Sequence, residues 1–455
     1  MRDLTTGSIR GHLLVMAFPI AAGMIFQTLY YFVDLYFVAQ LGDDAVAGVS
    51  VAGNVTFVIL ALTQMLGIGT VALVSQAAGR KDQAEANSVF NQAVLLSAVL
   101  GVLTLIAGYA LTDFYTRSMT ADAEAAHLGA TYLYWFLPGL ALQFALVALA
   151  SAMRGTGIVK PAMLTQIVTV ILNTILAPIL IGGWITHHPL GVLGAGLAST
   201  IAIAAGVLLL WFNFVKLEHY VGLSRDLFAP RLEYWKKILA VGLPGGAEFG
   251  LLFVFTGLIY LLIQQFGSAA QAGFGIGSRV MQGIFLPAMA IAFAAAPIAG
   301  QNFGAQKPDR VRETFRTASV MGVGVMLGLL LICQWKPDVM IRVFTTDEAV
   351  VEVGALFLHV ISLNFVFSGF IFTCSSIFQG LGNTWPSLLS SGSRLITFAI
   401  PAFWLASRPD FQLRQLWYLS AVTVALQAVF SYVLLRIQMR KRLPIARQME
   451  PMPSR

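Results

Sequence analysis

The sequence predicts an all-α integral membrane protein, with twelve transmembrane helices in two pseudo-symmetric six-helix bundles. Three observations carry that expectation. The 455 residues are 58% hydrophobic and 11% charged, with a mean hydropathy of +0.79, far from the composition of a soluble domain. The apolar runs last about 20–28 residues, enough to cross a hydrocarbon core of roughly 30 Å as helices; a membrane β-barrel would alternate over about ten. Finally, the chain matches itself when shifted by 225 residues.

The first element, 12–39, already departs from a plain membrane anchor. Asp34 lies inside it, and a carboxylate at depth costs about 2.5–3.5 kcal/mol on insertion scales. Gln27, Tyr31 and Asp34 are spaced i, i+4, i+7 and share one helix face. Pro19, near the start, removes one backbone hydrogen bond, so the helix can bend there. This is the pattern of a moving part that carries a proton or cation site. Charges precede the apolar run, as in a signal peptide. The run is too long for one, contains Asp34 and lacks a small-x-small cleavage site, so it reads as the first span.

The remaining spans fall at 46–77, 86–111, 126–152, 160–182, 190–213, 236–265, 271–302, 311–333, 349–380, 385–407 and 412–437. They divide into an N-terminal bundle, 1–213, and a C-terminal bundle, 236–440. A linker at 214–235 joins the two, and 441–455 is a basic tail. Cys333 and Cys374 fall in apolar runs and read as buried free thiols.

Orientation follows from the basic residues. With the N-terminus inside, 21 of the 28 Lys and Arg lie on the cytoplasmic side, and Arg279 and Arg394 lie within spans. The positive-inside rule therefore places both termini in the cytoplasm, as expected of a multi-pass protein of the plasma membrane. This bias also accounts for the net charge of +7 without nucleic acid as a partner. The tail RIQMRKRLPIARQ is suited to anionic membrane lipids.

In the shifted register Pro19 meets Pro244, Gly42 meets Gly267, and AVAG at 45–48 meets AQAG at 270–273. Without a gap, Gln76 and Gly79 then meet Gln301 and Gly304, and Thr120 and Asp122 meet Thr345 and Asp347. Gly129 meets Gly354, and Gly155, Gly157 and Pro161 meet Gly380, Gly382 and Pro386. Each repeat holds six spans, an even number, so the halves insert in the same orientation about an axis along the membrane normal. Two such halves with an ionisable site form the architecture of an alternating-access transporter.

These residues resemble the multidrug and toxic compound extrusion (MATE) family over about residues 10 to 440. The resemblance rests on the first-helix pattern from Pro19 through Gln27-TLYYFV-Asp34 to AQLG at 39–42, and on AVAGVSVAG at 45–53. It extends to SQAAGRKD at 75–82 with its partner GQNFGAQK at 300–307, and to MRGTGIVKP at 153–161 with FQGLGNTWP at 378–386. It implies two six-helix bundles forming a V that opens alternately to either face. It implies export of cationic and lipophilic organic compounds against an inward proton or sodium gradient. It makes Asp34 a coupling-ion residue and Pro19 the point where the first helix straightens or bends.

Two departures refine this. Many members carry N-x-x-L-D-P in the fifth helix; here it reads Asn173-Thr-Ile-Leu-Ala177-Pro178, so Asn173 matches and the carboxylate is missing. Sodium prefers several hard oxygen ligands, whereas one carboxylate suffices for a proton. Proton coupling is the better expectation, sodium the alternative. The tenth helix, moreover, has no carboxylate from 353 to 380, unlike some branches of the family.

Other charges lie at depth in the C-terminal bundle. Glu248 follows Pro244 by four residues and Arg394 lies about nine residues into the eleventh helix, so the two are expected to pair. Such a network is either structural, or a second proton site or acidic contact for a cationic substrate. Arg279 joins it or snorkels. His187 and His188 lack a third nearby ligand and read as an outer loop rather than a metal site. No metal or other cofactor is expected, and the protein is expected to act as a monomer.

Three rival readings fit less well. A major-facilitator transporter should show a G-x-x-x-D-R-x-G-R-type turn where this chain has QAAGRKDQA. A lipid-linked oligosaccharide flippase of the same superfamily would favour several arginines in its cavity, and only Arg279 and Arg394 are candidates. An intramembrane enzyme needs a nucleophile or metal constellation; neither H-E-x-x-H nor G-x-S-x-G occurs.

Overall fold

The structure, a computed structural model, describes residues 1–185 and 187–443; most of the basic tail, 444–455, lies outside the described residues. The first repeat comprises α1 (Ile9–Ala39), α2 (Asp43–Gly79), α3 (Gln83–Met119), α4 (Ala123–Gly155), α5 (Lys160–Ile181) and α6 (Gly191–Leu217). The second comprises α7 (Leu232–Ile263), α8 (Ser268–Gly304), α9 (Pro308–Trp335), the short α10 (Pro337–Arg342), α11 (Glu348–Ile361), α12 (Phe365–Gly380), α13 (Trp385–Ala406) and α14 (Leu413–Arg442). A single 3-10 turn, Ser362–Asn364, joins α11 to α12, and the two together make one span. Twelve helices among the described residues are long and apolar enough to cross a membrane, and no strand occurs among them.

Much of what repeats in the sequence consists of turns and caps. Asp122 caps α4 by accepting from the amides of Glu124 and Ala125, and Asp347 caps α11 by accepting from those of Ala349 and Val350. Thr120 and Thr345 each accept from the amide of the capping aspartate at 3.2 Å. A short polar side chain at that position satisfies amides that the first helical turn leaves unpaired. Gly42 and Gly267 precede α2 and α8 with φ of 110° and 86°, a region that favours glycine. In unit 1 a Cβ on Gly48 would lie 2.6 Å from the Ala125 carbonyl; in unit 2 one on Gly273 would lie 2.9 Å from Val353. Only glycine lets those helices approach so closely.

The chain divides into two compact units. Unit 1 holds Met1–Asp3 and Ala22–Gly246; unit 2 holds Leu4–Ala21 and the chain from Ala247 onward. The two helices that head the repeats are therefore each divided between units, rather than lying whole within the bundle that their sequence position suggests. The changeovers, at Ala21/Ala22 and Gly246/Ala247, come two residues after Pro19 and Pro244.

Two polar segments fix where those leading helices begin. In unit 2, the amide of Leu4 donates to Gln301 Oε1 at 2.9 Å, and its carbonyl accepts from Asn302 Nδ2 at 3.1 Å. Lys307 Nζ donates to the Thr5 carbonyl at 2.8 Å. The GQNFGAQK motif thus seats the segment that enters α1. In unit 1, the linker before α7 is held by amide side chains of α3. Gln92 donates to the carbonyls of Leu227 and Ala229 at 2.7 and 2.8 Å and accepts from the Arg231 amide at 2.9 Å. Asn91 donates to the Gly222 carbonyl and accepts from the Ser224 amide, each at 2.9 Å. The linker is an ordered part of unit 1.

The core of unit 1 gathers around Phe136, Leu140 and Phe144 of α4 with Leu66, Leu96 and Ile203. That of unit 2 gathers around Phe274, Phe357, Phe398 and Trp417. Both free cysteines are buried in unit 2.

Candidate functional site: a buried carboxylate in each unit

In unit 1, Asp34 points inward from α1 on the face that also carries Tyr30 and Val38, and only 8% of it is exposed. Its carboxylate is gripped from two other helices. Tyr132 of α4 donates its hydroxyl to Oδ2 at 3.0 Å, and Ser199 of α6 donates to Oδ1 at 3.3 Å. Asn173 of α5, wholly buried, lies beside the same carboxylate and favours its charge, though among the described residues neither its amide nitrogen nor its oxygen reaches a partner in full hydrogen-bond geometry. The Tyr30 hydroxyl is buried and unpartnered as well. An acid with neutral donors and spare amide and hydroxyl capacity can exchange a proton or take a small cation without rebuilding the core.

The structure brings Asp34 and Asn173 together, as the sequence suggests, whereas among the described residues neither Gln27 nor Tyr31 hydrogen-bonds that carboxylate. Those two are exposed on the neighbouring stripe of α1, Tyr31 to 45%. The geometric reason is that Asp34 shares its inward line with residues four away on either side, Tyr30 and Val38. Tyr30, Tyr132 and Ser199 were not predicted. A signal for Tyr30 and Tyr132 was available in the repeat. Shifted by 225, Tyr30 becomes Phe255, Asp34 becomes Ile259, Tyr132 becomes Phe357 and Asn173 becomes Phe398. All four counterparts belong to, or pack on, the apolar core of unit 2. One repeat therefore keeps as a polar site what the other fills with hydrocarbon. Ala177, where the family pattern has a carboxylate, is buried in the unit 1 core.

Unit 2 builds its own carboxylate site from different positions. Glu248 of α7 accepts from Ser387 at 2.6 Å on Oε2, and from Ser391 at 2.9 Å and Ser375 at 3.4 Å on Oε1. Ser375 has a single proton to divide between Oε1 and the Ser387 hydroxyl, 2.6 Å away, and Gln427 donates to Ser391 at 3.3 Å. The expected Glu248–Arg394 ion pair is not formed. Serine hydroxyls take the carboxylate, while the Arg394 guanidinium lies over the Phe255 ring, 4.1 Å from its centroid. Arg279 is exposed on α8 and has no recorded hydrogen bond or ion pair among the described residues. The expected network of three charges is thus a serine-caged acid and two separate cations. Pro19 lies inside the continuous helix α1. Among the described residues no group of three or more His, Cys, Asp and Glu could hold a metal ion.

The MatE family model matches residues 19–179 and 244–405, one stretch in each repeat. Among curated proteins, the chain is 27% identical to the multidrug export protein MepA of Staphylococcus aureus (strain N315), covering 80% of each chain. It is 24% identical to the probable multidrug resistance protein YoeA of Bacillus subtilis (strain 168), covering 91% of each. Among solved structures, it resembles an outward-facing multidrug resistance MATE transporter of the MOP superfamily, with a TM-score of 0.90 and 25% identity over 97% of this chain and 98% of that one.

Proposed function

The chain belongs to the MatE family, whose members are transporters rather than enzymes, and from that premise we propose that it is a secondary active antiporter for multidrug efflux. It exports cationic and lipophilic organic compounds in exchange for protons, by alternating access. It does so from the plasma membrane, with both termini in the cytoplasm as the distribution of Lys and Arg directs.

The observation that carries proton coupling is the Asp34 cluster. A lone carboxylate meets two hydroxyl donors and a buried amide, at positions whose repeat counterparts are Ile259, Phe357, Val424 and Phe398. An ionisable group kept in one copy and removed from the other is not needed to hold the fold. Asp34 takes a proton from outside and releases it inside. Its hydrogen bonds to Tyr132 and Ser199 change with its charge, and α1 responds at Pro19, just before the changeover between units. Glu248 serves as a second proton site or as the acidic contact for a cationic substrate.

One observation favours a second reading. The unpaired carbonyl oxygen of Asn173 beside Asp34 is the kind of hard ligand that sodium takes. The missing carboxylate at Ala177 weighs against it. Inside-out vesicles separate the two. Uptake of a fluorescent organic cation driven by a pH gradient, and not by a sodium gradient, is the expected result. Asp34→Asn is expected to abolish that uptake while the protein stays folded. Full uptake by this variant would overturn the role given to Asp34.

A further inference from the structure

Unit 2 carries an apolar cleft where α9, α12 and α14 meet. Val323 of α9, Val366 and Phe370 of α12, and Val429 and Tyr432 of α14 border a volume of about 320 Å³, and every side chain that lines it is Val, Ala, Phe or Tyr. Phe367, Val429 and Tyr432 are exposed, so the cleft opens away from the unit 2 core. On a membrane-spanning bundle such a face meets hydrocarbon. One end is stopped by rings: Phe315 of α9 packs on Phe370 and Tyr432 with centroids 5.8 and 6.4 Å away, and those two lie 5.9 Å apart.

At the stopped end each flanking helix supplies an arginine in line with the cleft. Arg316 precedes Val323 by seven residues on α9, and Arg436 follows Val429 by seven on α14, a spacing that returns to the same helix face. Both are exposed, and Arg440 continues the row on α14. The Arg436 guanidinium lies 5.8 Å from the Tyr432 ring centroid, and neither Arg316 nor Arg436 has an ion pair among the described residues. Phe315 lies seven residues from the start of α9 and Tyr432 ten from the end of α14. The rings therefore sit roughly 10–15 Å from those helix ends, near the depth where hydrocarbon gives way to head groups, and arginine stems are long enough to span the rest. In unit 1 the equivalents of Phe370, Tyr432, Arg436 and Arg316 are Ala145, Val207, Trp211 and Asn91. The fold itself therefore calls for neither arginine.

We propose that this cleft binds one anionic phospholipid of the cytoplasmic leaflet. An acyl chain fills the apolar trough down to the rings, and Arg316 and Arg436 take the phosphate. Phosphate oxygens match a guanidinium fork, and a net negative lipid gains more from two cations than a zwitterionic one does. A second copy of this chain docked here by twofold symmetry would set the same arginines face to face, which disfavours that occupant. The lipid braces α9, α12 and α14 against one another. This inference goes beyond the efflux reading and needs only the membrane orientation given with it.

Native mass spectrometry of the full-length protein, with dioleoyl phosphatidylglycerol or dioleoyl phosphatidylcholine added, reads the affinity for a first lipid while the acyl chains stay the same. The wild type is expected to bind phosphatidylglycerol about tenfold more tightly. The double variant Arg316→Gln, Arg436→Gln is expected to lose most of that preference and to bind phosphatidylcholine as before. Arg408→Gln removes a cation that stacks on Trp404 just past the end of α13, and is expected to change nothing. Val429→Trp fills the trough and is expected to weaken both lipids. Should the double variant not fold, each single variant is expected to lose part of the preference, and two singles that both keep it whole would overturn the proposal. A preference that survives in the double variant would overturn it, as would an equal loss in Arg408→Gln, which would reduce the effect to net charge. Glycerophosphoglycerol, the same head group without acyl chains, is expected not to displace the lipid; displacement would make this a site for free phosphate esters. Dimers that Val429→Trp breaks while lipid affinity holds would give the face to a second copy instead.

Discussion

At the scale of single residues, the Asp34 cluster separates what a charge advertises from what a hydroxyl hides. A carboxylate within an apolar run announces itself, because burying it costs more than any packing gain from so short a side chain. Tyr132 and Ser199 give no such notice, since a tyrosine or a serine in a membrane helix is ordinary. They become informative only beside Asp34, or, for Tyr132, beside Phe357 in the other repeat. That replacement suggests a clean experiment. Tyr132→Phe keeps the ring and removes one hydroxyl, so the helix packing is expected to survive. Losing one hydrogen bond to an ionisable group is worth about 1.5 kcal/mol, or roughly tenfold. Initial rates of proton-driven uptake in inside-out vesicles are expected to fall by about that factor. An unchanged rate would leave Tyr132 a packing residue.

At the scale of elements, all twelve spans could be read from the sequence because length and hydropathy are local properties. The division of α1 and α7 between units could not, since it depends on which distant helices each half meets. Pro19 and Pro244 mark the places, but a proline alone does not say what lies on either side of it. Pro19→Ala restores a backbone donor and stiffens α1; proton-driven uptake is expected to drop several-fold while thermal stability holds or rises. The capping aspartates answer to a different measurement. Asp122→Ala and Asp347→Ala each remove an N-cap, at a cost of about 0.5–2 kcal/mol. Each is expected to lower the thermal midpoint of the purified protein, with transport at permissive temperature retained.

At the scale of the whole molecule, the repeat shows which features a duplicated sequence keeps. Turns, caps and close helix approaches have few stereochemical solutions, so Gly42 and Gly267, or Asp122 and Asp347, still coincide. Interiors have many solutions, so one unit holds Asp34 where the other holds Ile259. The expected pairing of Glu248 with Arg394 failed for a related reason: depth along two helices fixes height but not azimuth, and the serines of α12 and α13 were nearer. Grafting the acid across the repeat tests this asymmetry. Ile259→Asp would set a carboxylate among Phe255, Phe357 and Phe398 with no hydroxyl donor at the Tyr132 or Asn173 positions. It is expected to destabilise the protein by about 3 kcal/mol and to give Asp34→Asn no rescue. Restored uptake in the double variant would show that unit 2 can serve as a coupling site.

The amide side chains of α3 hold the linker through its main-chain atoms alone: the carbonyls of Gly222, Leu227 and Ala229 and the amides of Gly222, Ser224 and Arg231. Such a grip is indifferent to spelling and strict about count. Side chains between 222 and 231 can be exchanged widely, whereas one inserted or deleted residue would carry every later carbonyl out of reach of Gln92 and shift the start of the seventh helix with it.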